Sequence, residues 1–505
     1  MPKYRTLYIL LIPLVFGCGT MSKRERISFA NLERPVFSEV TAHDPSVILA
    51  GGTFYIFGSH LQTAKTDDLM NWTQIAESAA GIHPFFGNAR EKFAECLRWA
   101  ESNTFWAPDM IRLEDGRFFF YYNSCRGDSP LSAMGIAVAD NIEGPYEDLG
   151  LILKSGRKPY QPHAEEPDAE YNGMQEDRSY VSPIYNANIH PNVVDPHVFF
   201  DNDKRLWMMY GSYSGGIFIL ELDPRTGFPF EGQEYGEKML GGNHLRIEGP
   251  YVVYSPETGY YYMFLSFGGL TADGGYNIRV VRSKKPNGPY YDASGQAMIE
   301  AKGSAGSFFE DSTAERFGSV LMRSHRFLHM EGEPGPGIDG GYVSPGHNSV
   351  YRDEKTGRYF LIFHTRFVSR GEYHRVRVHQ MFLNEDGWFV AAPHRYSNQE
   401  LLDCTNADIA GDYKFILHQR EISADITDST LIRLNRNGAI SGSVKGRWSY
   451  KTENHYIDLN IDGITYKGVV SHQWNEDAES FVMTFSAMSG EGISVWGSKA
   501  AGPGN

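Results

Sequence analysis

Three carboxylic acids and one histidine recur at matching positions of a pattern that the chain repeats five times. The five positions, including an alanine in the second copy, are Asp44, Ala107, Asp195, Glu248 and His347. Like charges brought together cost free energy, and the packing of a soluble protein does not require them. An Asp-Pro step can cap a tight turn, which explains one acid but not three in register. The pattern therefore predicts a functional site.

Acids grouped in this way suit the hydrolysis of glycosidic bonds. That reaction needs one carboxyl group that stays protonated, to donate to the leaving oxygen, and one ionised carboxylate that accepts a proton from water. Crowding raises the pKa of the acid, and the local environment separates the two roles. The sequence shows no nucleophilic serine or cysteine motif, no phosphate-binding loop and no zinc-ligand cluster that would favour another chemistry.

The repeated unit that positions these residues is a strand, a turn and an aromatic strand. The aromatic strands of the five copies are residues 55–57, 119–122, 206–210, 260–264 and 359–363. Further strand signals follow each pair, so the unit has about four antiparallel strands. Five such units predict an all-β fold with a five-bladed β-propeller over residues 35–398. The residue that opens each repeat would then lie at one mouth of the central channel.

Uneven spacing of the repeats predicts inserted loops, the largest at residues 155–192 and 294–345, and helical spacing predicts a surface helix over 88–102. From 400 to 500 the chain consists of short alternating strands with Asn-Gly and Asp-Gly hairpin turns. This part predicts a separate small all-β domain, a barrel or a sandwich. It shows no catalytic cluster, and a supporting role is as consistent with its sequence as ligand binding.

The charge of the chain limits its partners. Of 505 residues, 47 are Lys or Arg and 62 are Asp or Glu, so the net charge is −15, and no basic stripe stands out. Nucleic acid is therefore not an expected partner, and a polyanionic substrate is disfavoured. The four cysteines are too scattered for a disulfide framework.

The first 18 residues have the features of an export signal. Lys3 and Arg5 precede an apolar stretch over 7–16 that is too short to span a bilayer, and Cys18 follows it. This pattern predicts a bacterial lipoprotein signal whose cysteine receives lipid, and the alternative is a plain secretory signal. Either alternative predicts an exported protein, and the lipoprotein signal predicts one at the bacterial cell envelope.

The motifs around the repeated positions resemble those of glycoside hydrolase family 43, the five-bladed propeller hydrolases that act on arabinan and xylan. Within the family, the chain is most similar to the bacterial two-domain endo-α-1,5-L-arabinanases. The motifs that carry the resemblance are His43-Asp44-Pro45, Phe105-Trp106-Ala107-Pro108-Asp109, Val194-Asp195-Pro196, Ile247-Glu248-Gly249-Pro250-Tyr251 and Gly341-Tyr342-Val343-Ser344-Pro345-Gly346-His347-Asn348-Ser349. The last is the most specific of them.

The resemblance implies a role for each acid. Asp44 would be the general base, Glu248 the general acid, and Asp195 the group that orients that acid and raises its pKa. The reaction would invert the anomeric centre, with the two working carboxyl groups about 6.5–9.5 Å apart. The resemblance also implies that His347 binds calcium or a similar divalent ion that is mostly coordinated by water. The alternative is a histidine that is hydrogen-bonded to Asp44 or Glu248.

The resemblance implies substrate contacts as well. Asn192, Ser212 and Tyr213 match sugar-contacting positions, and Trp106 could stack on a sugar ring or belong to the core. The expected partners are arabinan and arabino-oligosaccharides, and a monomer is expected. His244, His364 and Arg366 are polar residues near repeat edges without an assigned role.

Three alternative functions remain open at this stage. The first is an exo-acting arabinanase, arabinofuranosidase or β-xylosidase, which would need a closed pocket. The second is a surface glycan-binding propeller without catalysis, although the presence of all three acids argues against it. The third is a retaining fructan-type hydrolase, which the Glu248-Gly249-Pro250 step fits poorly.

Overall fold

The computed structural model describes residues 32–156 and 185–501. The predicted signal segment, residues 1–18, and most of the predicted insertion at 155–192 lie outside the described residues. No helix in the described ranges is long and apolar enough to cross a membrane.

The propeller consists of five sheets of antiparallel strands that follow one another in sequence, and the fifth sheet gains one parallel edge strand from later in the chain. Blade 1 contains β1 (Ser46–Ala50), β2 (Thr53–Phe57), β3 (Thr63–Thr66) and β4 (Thr73–Ala76), and blade 2 contains β5 (Asp109–Arg112), β6 (Phe118–Cys125), β7 (Ser132–Ala139) and β8 (Glu147–Ser155). Blade 3 contains β9 (His197–Phe200), β10 (Leu206–Tyr210), β11 (Ile217–Leu222) and β12 (Glu237–Leu240). Blade 4 contains β13 (Ile247–Ser255), β14 (Tyr260–Phe267), β15 (Asn277–Ser283) and β16 (Ser319–Met322).

Blade 5 is wider than the others. It contains β17 (His325–Phe327), β18 (Gly340–Arg352), β19 (Tyr359–Arg366), β20 (His374–Leu383) and β21 (Phe389–Ala391), and β23 (Thr427–Asp428) adds to its edge beside β17. The strands β1, β5, β9, β13 and β18 contact one another in a closed ring, so they surround the central channel. The predicted five-bladed propeller is confirmed.

Apolar side chains pack between neighbouring blades and hold the ring closed. Between blades 5 and 1, for example, Phe360 and Ile362 pack with Val47 and Ile56 in one buried cluster. No strand is shared between the first and last blades in the described ranges. Burial of side chains between blades, rather than strand pairing, therefore closes the propeller.

The C-terminal part forms a closed eight-stranded barrel, which decides between the two predicted alternatives. Its strands are β22 (Gly411–His418), β24 (Thr430–Leu434), β25 (Ala439–Gly442), β26 (Gly446–Lys451), β27 (Tyr456–Ile461), β28 (Ile464–Asn475), β29 (Ser480–Ser489) and β30 (Ser494–Lys499). Trp496 of this barrel is fully buried in the cluster that also joins blades 4 and 5. The barrel and the propeller therefore share part of their core.

The described helices are short: α1 (Ala89–Lys92), α2 (Ala94–Trp99), α3 (Asp311–Ala314) and α4 (Asn406–Ile409), with 3₁₀ turns at Ser59–Leu61 and Met298–Glu300. The helical stretch expected over 88–102 is thus two short helices. The stretch at 294–345 is not a simple loop, because it contains β16, β17 and the start of β18. Strands of three or four residues are too short to show a clear alternation in sequence.

Candidate active site

The ring of inner strands gathers the repeated positions at one mouth of the channel. In blades 1 to 3 the repeated position lies two residues before the inner strand, at Asp44, Ala107 and Asp195. In blades 4 and 5 it lies within the inner strand, at Glu248 in β13 and His347 in β18. The pairing register shifts beside both of these residues. Such irregularities re-aim side chains, and they are common next to active sites.

The backbone at this mouth adopts conformations that side chains rarely accept. Asp44, Asp195 and His347 have φ of 57°, 54° and 43°, and Gly249, which follows Glu248, has φ of 58°. For a residue other than glycine this left-handed conformation costs about 1–3 kcal/mol and persists only where the surroundings enforce it. Left-handed residues at three of the five repeated positions support a functional role for this mouth.

Asp44 is 8% exposed and is surrounded by hydrogen-bond donors from blades 1 and 5. The Ser59 hydroxyl donates to Oδ2, and His43 Nδ1 lies 2.8 Å from the same oxygen. On the other side, His347 Nδ1 lies 3.1 Å from Oδ1. The backbone N–H of Asp44 donates to His364 Nδ1 at 3.2 Å, which fixes the position of the residue from behind.

These neighbours hold Asp44 in its ionised form. Burial alone would raise the pKa of Asp44, but the charges of His347 and His43 outweigh it and hold the pKa well below its usual range. Burial would likewise lower the pKa of His347, but the charges of Asp44 and Asp195 outweigh it and raise the pKa to about 10. The carboxylates at the channel mouth therefore favour a positive charge at the ring of His347.

Glu248 is 7% exposed, and both of its oxygens accept hydrogen bonds. The Ser212 hydroxyl donates to Oε2 at 2.7 Å, and the Tyr276 hydroxyl donates to Oε1 at 2.7 Å. Burial raises the pKa of Glu248, and the charge of Asp44 adds to that effect, while His347 and the two hydroxyl groups oppose it without cancelling it. Asp44 and Glu248 are therefore pushed in opposite directions, as expected for a base and an acid in one site.

Asp195 is 5% exposed and accepts the backbone N–H of Gly249 at 3.3 Å. Burial raises the pKa of Asp195, and together with the charges of Glu248 and Asp44 it outweighs the opposing charge of His347 and brings the pKa to about 8. Two buried carboxyl groups that repel each other cannot easily both ionise. Asp195 and Glu248 therefore retain a proton between them at neutral pH.

A fourth buried acid lies at the channel but belongs to a separate network. Asp109 accepts hydrogen bonds from the Ser46 hydroxyl and from the backbone N–H of Val198, the latter at 2.6 Å, and His197 Nδ1 lies 3.3 Å from it. These partners come from blades 1 and 3, so Asp109 of blade 2 braces three inner strands.

The four predicted substrate-contacting residues differ in their exposure to solvent. Trp106 and Tyr213 are half-buried, and the Tyr213 hydroxyl donates to Gly268 O at 3.0 Å. Asn192 is 8% exposed, and its Oδ1 accepts from the Ser132 hydroxyl at 2.7 Å. Ser212 is also buried and donates to Glu248, so its hydroxyl acts on the acid. Direct sugar contact by these four residues stays a prediction.

His347 is the residue predicted to bind a divalent ion. Its Nδ1 faces Asp44, which leaves Nε2 on the opposite side of the ring for a cation, and metal-binding histidines commonly use a carboxylate in this way. The carboxylates favour positive charge at this ring, whether it is a proton or a metal ion. Calcium prefers oxygen, so water would complete its coordination. The residues present therefore fit a hydrated cation.

Asp44, His43 and His364 form another group whose ligand atoms lie within 4.8 Å of one another. Here the two imidazole nitrogens face Asp44 itself, one at its carboxylate and one at its backbone N–H. This arrangement positions Asp44. It thus assigns a positioning role to His364, which had no assigned role from sequence.

Several residues at the site carry no signal in the repeat. Ser59 lies in a 3₁₀ turn and Tyr276 lies just before β15, and neither occupies an aligned position. Arg366 pairs with Glu372 within blade 5, and the His244 ring lies 4.9 Å from that of Phe308. Only three-dimensional contacts relate Ser59 to Asp44 and Tyr276 to Glu248.

The fold and the acid cluster define a class of protein, and comparison of the sequence with known protein families identifies that class. The family model described as "Glycosyl hydrolases family 43" matches residues 32–180 and 170–317, and the one described as "C-terminal lipocalin-like domain" of this family matches 393–497. The chain belongs to glycoside hydrolase family 43.

Relatives of known name match nearly the whole chain. The extracellular endo-α-(1→5)-L-arabinanase 2 of Bacillus subtilis is 54% identical over 92% of this chain and 94% of its own length. The extracellular endo-α-(1→5)-L-arabinanase of Thermotoga petrophila is 47% identical over 92% and 95%. A crystal structure of a family 43 glycoside hydrolase from Bacillus licheniformis superposes with a TM-score of 0.85 at 55% identity, covering 92% of this chain and 99% of that chain.

Proposed function

We propose that this protein is an inverting endo-1,5-α-L-arabinanase that hydrolyses α-1,5-linked L-arabinofuranosyl chains of arabinan. The observation that carries the proposal is the pair of opposed carboxyl groups: Asp44 is held ionised while Glu248 is pushed toward its protonated form. Relatives named endo-α-(1→5)-L-arabinanase at 54% and 47% identity, each over 92% of the chain, support the bond type and the internal cleavage.

Asp44 is suited to accept a proton from the attacking water. An ionised carboxylate has about four lone-pair sites. Ser59 and His43 approach Oδ2, and His347 approaches Oδ1, so capacity remains on Oδ1 for a water molecule. Because the pKa of Asp44 lies well below its usual range, this oxygen is ionised throughout the neutral range.

Glu248 is suited to donate a proton to the leaving oxygen. Its burial and the nearby charge of Asp44 keep a proton available to it, and Ser212 and Tyr276 hold its carboxyl group in one orientation. Asp195 bonds the backbone N–H next to Glu248 and raises the cost of ionising it. When Glu248 loses its proton in the reaction, the two hydroxyl groups stabilise the resulting carboxylate.

His347 would hold a divalent cation, calcium or a similar ion, through Nε2, with water as the other ligands. When bound, the ion supplies a fixed positive charge at the channel mouth. Calcium titration of the metal-stripped protein by calorimetry tests this, with His347→Ala as the variant. Equal binding by both proteins would contradict the assignment.

The protein would act outside the cell. The curated relatives are named extracellular, which supports export, and the residues before Cys18 support a lipid anchor on that cysteine. Partition of the full-length protein into detergent should be lost in Cys18→Ser. We also propose that the enzyme is a monomer, which light scattering coupled to size-exclusion chromatography would check.

A chromatographic time course on linear α-1,5-arabinan tests the activity and the internal cleavage together. Early appearance of a ladder of oligosaccharides is the expected result, whereas a single short product from the first minutes would show exo action. Binding without any product would instead favour the glycan-binding alternative.

The role of Glu248 needs a second measurement. Glu248→Gln should lower kcat on arabinan by about 10²- to 10⁴-fold, because an amide cannot donate the proton. Binding of arabinan and the thermal unfolding transition should change little. Near-normal turnover would remove Glu248 from the acid role.

A further inference from the structure

Two phenylalanines on the loop between β15 and β16 are exposed beside the candidate active site. Phe308 is 65% exposed and Phe309 is 42% exposed, although side chains of this size are usually buried. Adjacent exposed rings form an apolar patch, and such patches commonly mark a binding surface.

The local backbone brings the two rings together. In an extended chain, successive side chains point to opposite faces. Phe309 instead has φ of 56°, and the ring centroids of Phe308 and Phe309 lie 4.1 Å apart with an interplanar angle of 35°. A positive φ is unfavourable for a bulky residue, so the loop must hold this conformation against its own preference.

Several contacts fix the loop in place. Arg246, two residues before Glu248, makes a two-pronged ion pair with Asp311, with Nε 2.8 Å from Oδ1. The Asn243 side chain donates to Gly303 O at 2.9 Å, and Glu310 accepts from the backbone N–H of Ser304 at 2.6 Å. The two rings therefore project from a braced loop.

The rings continue directly into the candidate active site. The centroid of Phe309 lies 5.6 Å from that of Tyr213, which is next to Ser212, the residue that donates to Glu248. On the far side, the ring of Phe308 lies 4.9 Å from that of His244. Four aromatic rings are thus neighbours in the order Tyr213, Phe309, Phe308 and His244.

The backbone under this row is strained at several points. Tyr213, Ser214 and His244 have φ of 45°, 29° and 56°. Together with Phe309 and Asn243, whose φ is 50°, five residues in one rim hold left-handed conformations, which cluster where a fold positions groups for binding.

We propose that Phe308 and Phe309, with His244 and Tyr213, form an aromatic platform that binds arabinosyl units of the chain beyond the site of cleavage. This inference rests on the proposed function. The charged pair that braces the loop, Arg246 and Asp311, is neutral as a whole, which suits an uncharged sugar. Flat rings offer a large apolar contact at little cost in conformational entropy. The platform would favour long chains over short oligosaccharides.

Kinetics of Phe308→Ala on long linear arabinan and on arabinotriose test the platform. We expect KM for the polymer to rise about 3- to 10-fold with kcat unchanged, the effect of losing one aromatic contact. Both constants for the trisaccharide should change less than the polymer KM, because three units that occupy the site at the acids leave little chain to lie on Phe308. Phe308→Tyr should retain the polymer KM, whereas Phe308→Leu, which is apolar but not flat, should not.

Phe230 provides a matched control, because it is 44% exposed on the third blade and lies outside this row of rings. If wild type cleaves arabinan and Phe308→Ala behaves like Phe230→Ala, the platform is wrong while the proposed function stands. If the variant loses kcat on both substrates with a lowered unfolding temperature, the rings have a packing role and the platform is again overturned. If wild type does not cleave arabinan, both proposals fail.

Discussion

Removal of the Ser59 hydroxyl should move the acid limb of the pH–activity profile and leave activity at neutral pH nearly unchanged. The hydroxyl is buried and donates to Asp44 Oδ2, so Ser59→Ala takes away one of the groups that stabilise the ionised carboxylate. His43 and His347 remain in contact with the two oxygens of Asp44. The variant therefore destabilises the ionised form of Asp44 without removing the base.

The size of the shift follows from the strength of the bond. A hydrogen bond to a charged group contributes about 1.5–3 kcal/mol. One pKa unit corresponds to about 1.36 kcal/mol, so the pKa of Asp44 should rise by about 1–2 units. Burial raises the pKa of Asp44, but the charges of His347 and His43 outweigh it and hold that pKa well below its usual range. The pKa in Ser59→Ala, about 1–2 units higher, therefore still lies below neutrality.

The sign of the effect distinguishes this role from a structural one. Ionised Asp44 is the active form, so a raised pKa removes activity only in acid solution. The assay is kcat/KM on linear arabinan, measured by release of reducing ends across the acid limb of the profile. The acid limb should move to higher pH in Ser59→Ala.

Ser46→Ala is the matched control, because the Ser46 hydroxyl donates to Asp109, a carboxylate of the same channel in a separate network. It should leave the acid limb in place even where it lowers stability. An unmoved limb in Ser59→Ala, or equal shifts in the two variants, would refute the assignment of Asp44 as the base.

Two further predictions concern the acid and the joint between the domains. Tyr276→Phe removes a hydrogen bond that favours ionised Glu248, so the pKa of Glu248 should rise. The basic limb of the pH–activity profile should then move about one unit or more to higher pH. A basic limb that stays in place would contradict the acid role. Lys414 of the barrel and Glu333 of the propeller form an ion pair whose side chains are only 4% and 2% exposed. Lys414→Met removes the cation beside this buried carboxylate and leaves it the backbone N–H groups of Met330 and Ala501 as hydrogen-bond donors. The variant should lose about 3–5 kcal/mol in urea unfolding, and a loss below about 1 kcal/mol would show that the pair is not effectively buried.

The sequence alone determined the architecture and which repeated residues meet at the channel mouth. The strand–turn–strand repeat is a local pattern, and it predicted the five blades and the small all-β domain. Because equivalent residues of repeated blades occupy equivalent places, alignment also brought Asp44, Asp195, Glu248 and His347 to one mouth. Symmetry of the fold made this long-range inference possible.

Tertiary structure decided what surrounds those acids. Asp44 and His364 are 320 positions apart, and Ser59 and Tyr276 lie at no aligned position, so no repeat or spacing relates them to the acids. The same holds for the rings of Phe308 and Phe309, which meet only because a braced loop holds a left-handed backbone. Strand periodicity in the sequence encodes local structure. Contacts across blades and loops depend instead on how the folded elements pack. These long-range contacts set the charges of the acids.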